Sequence, residues 1–81
     1  MEIKDVIEKI DEALSDYSMP RRIKTILVSI KTELQKESQD KAVRITSAIY
    51  MIDEAANDVN IPMHAKTTLW DIISDLEALK K

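Results

Sequence analysis

The 81-residue chain contains no glycine, no cysteine and no phenylalanine, and it has only two prolines. The absence of glycine excludes phosphate-binding glycine loops and tight turns that require positive φ. The absence of cysteine excludes disulfides, thiolate metal sites and a cysteine nucleophile. No apolar run approaches the roughly 20 residues that span a bilayer, and the acidic N-terminus is unlike a secretory signal. We therefore expect a cytoplasmic protein with no membrane segment.

Length and charge narrow the possibilities further. Eighty-one residues predict a single domain, 1–81, that is close to the lower size limit for a self-sufficient hydrophobic core. The net charge of −3 argues against a general nucleic-acid binder, although it leaves room for a local basic face.

The segment 3–34 recurs without a gap 42 positions later in the chain. A repeat of this length usually corresponds to one helical hairpin. Thirteen aligned pairs are identical: Ile3/Ile45, Ile7/Ile49, Ile10/Ile52, Asp11/Asp53, Glu12/Glu54, Ala13/Ala55, Asp16/Asp58, Pro20/Pro62, Lys24/Lys66, Thr25/Thr67, Leu27/Leu69, Ile30/Ile72 and Leu34/Leu76.

Apolar residues spaced three and four apart predict four amphipathic helices. A break before Pro20 separates the first stripe from the second, and a break before Pro62 separates the third from the fourth. Segment 35–40 joins the two repeats. Ser18 and Asn60 are the expected N-caps of the second and fourth helices. The short joints predict an all-α, up-down four-helix bundle made of two tandem hairpins, 2–37 and 41–79. A solenoid is the alternative, but solenoids generally need about three repeats or more.

The middle of each stripe should form the core of the bundle, because these positions are apolar in both repeats. Leu27, Ile30, Leu69 and Ile72 are therefore predicted to be buried.

The second hairpin also carries apolar residues on the face opposite its core stripe, whereas the first hairpin carries mostly polar ones there. Aromatic and methionine side chains on an exposed helix face are typical of a contact surface. The alternative is that the bundle twists enough to bury the tryptophan at the edge of the core. The predicted interface residues are Val43, Tyr50, Met63, Trp70 and Ile73.

A cluster of cations on the second helix suggests an alternative contact with nucleic acid or the ribosome. The cluster consists of Arg21, Arg22, Lys24 and Lys31. The favoured interpretation is that these cations pair with the acidic first helix and with water, because the second repeat does not retain the cluster.

The sequence contains no recognisable catalytic, cofactor-binding or metal-binding set. Bundle metal sites need inward carboxylates, usually with a Glu-x-x-His motif, and that motif is absent. The repeated acidic pairs beginning at Asp11 and Asp53 flank the core stripe instead. His64, the only histidine, has no serine or cysteine partner at a recognisable spacing, so we expect no enzymatic activity.

One string of the second repeat is specific to a family. It consists of Ala42-Val43-Arg44, Ala48-Ile49-Tyr50, Asp53-Glu54, Asn57-Asp58, Asn60-Ile61-Pro62, His64-Ala65-Lys66-Thr67 and Trp70. Together with the duplication, this string resembles the archaeal uncharacterised protein family 0147. The resemblance covers essentially the whole chain and implies a small all-α cytoplasmic protein of archaeal type. It implies no activity and no functional residue.

The sequence therefore does not specify a biological role. The function it favours is a non-enzymatic helical protein that acts through protein–protein contact, with a homodimer as the expected assembly.

Overall fold

The computed structural model describes residues 2–80 and contains four helices and no strand within that range. They are α1 (Ile3–Leu14), α2 (Arg21–Leu34), α3 (Lys41–Ala56) and α4 (Met63–Lys80). Each helix packs against the next one in the chain, and α4 packs back against α1. This arrangement confirms the all-α four-helix bundle. No helix of the described residues is both long and apolar enough to cross a membrane.

The core consists of the predicted stripes. Leu27, Ile30, Leu69 and Ile72 are all buried, as expected. Every residue buried in the first hairpin has a buried counterpart 42 positions later. The pairs are Val6/Ala48, Ile10/Ile52, Ala13/Ala55, Met19/Ile61, Ile23/Ala65, Leu27/Leu69, Ile30/Ile72 and Leu34/Leu76. The sequence repeat therefore coincides with a repeat in burial, which follows if the two hairpins contribute equivalent faces to one core.

The predicted N-caps at Ser18 and Asn60 are wrong. Helix α2 begins directly after Pro20, and α4 begins at Met63. The backbone N–H of Ser18 donates instead to Asp16 Oδ1 at 2.9 Å, and the N–H of Asn60 donates to the same atom of Asp58 at 2.8 Å. These local bonds form a turn before the helix begins, since a short carboxylate can accept from the backbone two residues on.

The three connections between helices share one backbone design. They span 15–20, 35–40 and 57–62, and each shows the same succession of turns and bends. In each connection the preceding helix ends with backbone bonds to its last turn, and the following helix starts with a bond to residue 20, 40 or 62. The sequence indicated a joint at 35–40 but not that it repeats the geometry of the two hairpin loops.

Ion pairs join neighbouring helices around the bundle. Lys31 Nζ lies 2.7 Å from Asp11 Oδ1, which confirms that α2 pairs with acidic α1. Lys9 Nζ reaches α4, 2.9 Å from Asp71 Oδ2 and 2.5 Å from Asp75 Oδ2. Ion pairs at a partly exposed surface such as these contribute only about 0–1 kcal/mol each.

Two further contacts cross between the hairpins at the end that holds both hairpin loops. Arg22 pairs with Asp58, and His64 Nε2 lies 3.0 Å from the carbonyl oxygen of Ser18. Arg22 and His64 occupy the same position of the two repeats. In each hairpin, the second residue of the second helix thus contacts the loop of the other hairpin.

The Lys9 pair predicts a pH-dependent difference in stability. Hydrogen bonds to Asp75 and then Asp71 raise the pKa of Lys9 above its usual 10.5. A raised folded-state pKa gives stability that is complete below the unfolded pKa and is lost as pH rises through the folded one. The free energy of unfolding of the wild type should therefore exceed that of Lys9→Met by up to about 1 kcal/mol at pH 8. That difference should shrink above about pH 10.5 in denaturant melts, and a difference independent of pH would contradict the assignment.

Candidate contact surface

The predicted interface residues are largely exposed in the folded chain. Tyr50 is 71% exposed, Met63 67% and Trp70 51%, and Val43 is also half-exposed. Ile73 differs from them, because it is partly buried and packs against the core. Because about half of its surface is exposed, Trp70 is not buried at the edge of the core. We call the four exposed side chains, Val43, Tyr50, Met63 and Trp70, the outer apolar surface.

The apolar character of this surface is not required by the fold. Tyr50 occupies the repeat position of Glu8, and Met63 occupies that of Arg21. Both charged counterparts are exposed on the first hairpin. Trp70 replaces Val28, which is 50% exposed and is the only large apolar side chain on that face of α2. Two positions of the scaffold are therefore charged in the first hairpin and apolar in the second, and at a third position a tryptophan stands in place of a valine.

The outer apolar surface consists of one pair of side chains on each helix of the second hairpin. Val43 and Tyr50 line a shallow depression of about 330 Å³ on α3, together with Ala42, Thr46 and Ser47. Met63 and Trp70 lie on α4 with the same seven-residue spacing, which places them on one side of that helix. Val43 and Tyr50 thus line one depression on α3. That the α3 pair and the α4 pair form one continuous apolar surface stays a prediction.

The basic cluster of α2 does not form one face. Lys31 points towards α1, where it pairs with Asp11, whereas Arg22 pairs with Asp58 on the side of the second hairpin. Two of the four predicted cations are thus engaged by carboxylates on opposite sides of the helix. Arg21 and Lys24 form no ion pair within residues 2–80. This division reduces the positive potential that a phosphate backbone would meet.

Two grooves at equivalent places of the repeat differ in chemistry. The α1–α4 groove, about 450 Å³, is crossed by Lys9 on its way to Asp71. The α2–α3 groove, about 430 Å³, has Met51 at the position of Lys9 and Ser29 at that of Asp71. The difference follows from comparing the two repeats position by position, and we did not predict it from the periodicity alone.

The titratable residues do not assemble into a reaction centre. No three side chains of the types that bind metals converge within residues 2–80. His64 contacts a backbone carbonyl rather than a nucleophile. Bonds from the hydroxyl and then the backbone N–H of Ser18, with a smaller contribution from His64, lower the pKa of Asp16. The bonds among these groups order the 15–20 loop.

The model of the uncharacterised protein family UPF0147 matches residues 1–79. The chain belongs to this family. A crystal structure of a UPF0147 protein from Thermoplasma acidophilum is 36% identical and superposes with a TM-score of 0.88. That match covers 94% of this chain and 89% of the other. The crystal structure of the unknown-function protein MMP1188 is 33% identical, with the same TM-score and coverages of 98% and 90%. No curated protein matches the chain.

The family is uncharacterised, and MMP1188 is described as a protein of unknown function. They establish that this UPF0147 chain shares the four-helix fold of these relatives, and they assign no substrate, ligand or partner.

Proposed function

We propose that this UPF0147 protein is a non-enzymatic cytoplasmic protein that acts through protein–protein contact, with its outer apolar surface as the binding face. The observation that carries the proposal is the difference between equivalent positions of the two hairpins. Tyr50 and Met63 are exposed where the first hairpin has Glu8 and Arg21. Exposing apolar and aromatic groups at positions that the fold leaves free is a feature of contact surfaces.

A second copy of the chain is the proposed partner. Two-fold self-association is the commonest arrangement among soluble homo-oligomers, and a domain of this size gains stability by burying further apolar area. Trp70 and Tyr50 would supply the central contacts, because buried aromatic side chains commonly provide most of the binding energy of an interface. Both lie near the middle of their helices, α4 and α3.

The double substitution Tyr50→Lys, Trp70→Lys should convert a dimer into a folded monomer. Lysine at each site removes the apolar contact and places like charges opposite each other across a two-fold axis. Light scattering should show the mass of a single chain, and circular dichroism should show unchanged helix content and an unchanged unfolding transition at low concentration.

A matched control is available at the equivalent position of the first hairpin. Val28 and Trp70 are exposed to nearly the same extent, 50% and 51%. Val28→Lys should leave the dimer intact, whereas Trp70→Lys alone should weaken it about tenfold or more. The proposal fails if wild type is monomeric at high concentration, or if both single substitutions weaken association equally.

A further inference from the structure

The connection between the two hairpins lacks the contacts that hold the other two connections. Each hairpin loop buries one apolar side chain, Met19 or Ile61, whereas the equivalent Gln39 is exposed. Each hairpin loop also has an aspartate, at 16 or 58, that accepts from the backbone two residues on. The equivalent residue in 35–40 is Lys36. All six residues of this connection are exposed, so it is the least anchored of the three.

The same connection also lacks the residue that prevents a helix from continuing. Pro20 and Pro62 stand immediately before α2 and α4, and Asp40 has this position before α3. The segment Gln-Lys-Glu-Ser-Gln-Asp contains neither proline nor glycine, and glutamine, lysine and glutamate are good helix formers. A continuous helix across 35–40 would therefore meet no covalent obstacle.

The core stripes of α2 and α3 are in phase for such a continuous helix. Leu27, Ile30 and Leu34 are each followed, 18 residues later, by Ile45, Ala48 and Ile52. Eighteen residues correspond to five turns of an α-helix. All six side chains are buried. If the joint became helical, the two stripes would lie along a single side of one helix, ready to face a single partner.

We propose that two copies of this chain can exchange hairpins through a continuous α2–α3 helix. In the exchanged dimer, residues 21–56 form one helix about 54 Å long. The first hairpin of each copy then packs against the second hairpin of the other. The core contacts and the cross-hairpin ion pairs of the monomer are regained between chains. The exchange changes the joint and the bond beside it from Arg44 Nη1 to the carbonyl oxygen of Leu34, because in a continuous helix this oxygen accepts from the backbone N–H of Ser38.

This exchange is independent of the outer apolar surface, because it uses the inner faces of the hairpins. The closed monomer is favoured at low concentration, since its hairpins are tethered at a high effective concentration. Exchange requires the hairpins to separate. We therefore expect the exchanged dimer after refolding at high protein concentration, and we expect it to revert only slowly on dilution.

The test uses chemical cross-linking, and the absence of native cysteine makes it specific. Cysteines replace Arg22 and Asp58, whose side chains meet between the hairpins, and a short bismaleimide joins them. In a closed monomer, or in a dimer formed through the outer apolar surface, the link lies within one chain. In an exchanged dimer it lies between chains, and a covalent dimer appears on a denaturing gel.

Two variants of the joint should change the yield of the interchain link in opposite directions. Asp40 has φ −56° and ψ 144°, close to the −58° and 143° of Pro20, so Asp40→Pro fits the closed loop. This substitution should abolish the interchain link, because proline breaks a continuous helix. Ser38→Ala with Asp40→Ala raises helix propensity without removing a cap bond, and it should increase the exchanged fraction roughly tenfold.

The proposal is overturned if only intrachain links form in the Ser38→Ala, Asp40→Ala variant refolded at millimolar concentration. It is also overturned if Asp40→Pro leaves the interchain yield unchanged. Adding Trp70→Lys to the cysteine pair distinguishes the two modes of association, because this substitution should weaken association through the outer apolar surface and leave the interchain link in place.

Discussion

Leu69→Ala should cost about 2–5 kcal/mol of unfolding free energy, because the side chain is fully buried in the middle of α4. Truncation loses the transfer energy of the removed atoms and leaves a cavity that the surrounding helices only partly fill. A domain of this kind holds only about 5–15 kcal/mol in total, so the variant will be close to unfolding. Urea melts followed by circular dichroism measure the loss directly.

Val28→Ala is the matched control for this truncation. Val28 is half-exposed on the outer face of α2, so its truncation should change stability by no more than about 0.5 kcal/mol. If Leu69→Ala cost less than about 1 kcal/mol, the core face assigned to α4 would be incorrect. The repeat-equivalent Leu27→Ala should cost a similar amount, since Leu27 is equally buried.

The fold could be predicted from the sequence because its main determinants are periodic. Apolar stripes define the buried face of each helix, and the repeat shows the same stripe twice, which removes the ambiguity of a single pattern. The burial of Leu27 and Leu69 at equivalent positions follows directly from this redundancy.

The loops were harder to predict, because several local hydrogen-bonding patterns compete there. Ser18 is a good N-cap by residue type, but its hydroxyl and its backbone N–H both donate to Asp16 Oδ1, and the helix begins only after Pro20. Similarly, the charge of Arg22 suggested pairing with α1, whereas its partner is Asp58. Which of two acidic neighbours a flexible side chain selects depends on how the helices are rotated, and the stripe positions define that rotation only coarsely.

The candidate surface could be predicted in part. The exposure of Tyr50 and Trp70 follows from the helical wheel, because both lie well away from the core stripe. Ile73 lies at the flank of α4, where a small rotation decides between core and solvent, and the structure places it partly in the core. The contrast between the α1–α4 and α2–α3 grooves depends on the tertiary pairing of helices, which no single helical wheel contains.

The otherwise repeated core contains an asymmetry near the start of α2 and α4. Ile23 and Ala65 occupy equivalent positions, each the third residue of its helix, and both are fully buried. Helices α2 and α4 begin at the same end of the bundle, so the two side chains lie at one level. At facing positions of a well-packed core, a large side chain in one repeat is commonly matched by a small one in the other.

Exchanging these two residues should therefore be less harmful than changing either one. Ile23→Ala should cost about 2–5 kcal/mol through a cavity, and Ala65→Ile about 1–3 kcal/mol through overpacking. The double variant should be more stable than the sum of the single changes implies, by about 0.5–3 kcal/mol, because the added side chain fills the space vacated by the other. Urea melts of the four proteins give this coupling energy. Strict additivity would show that the two positions do not share a packing volume.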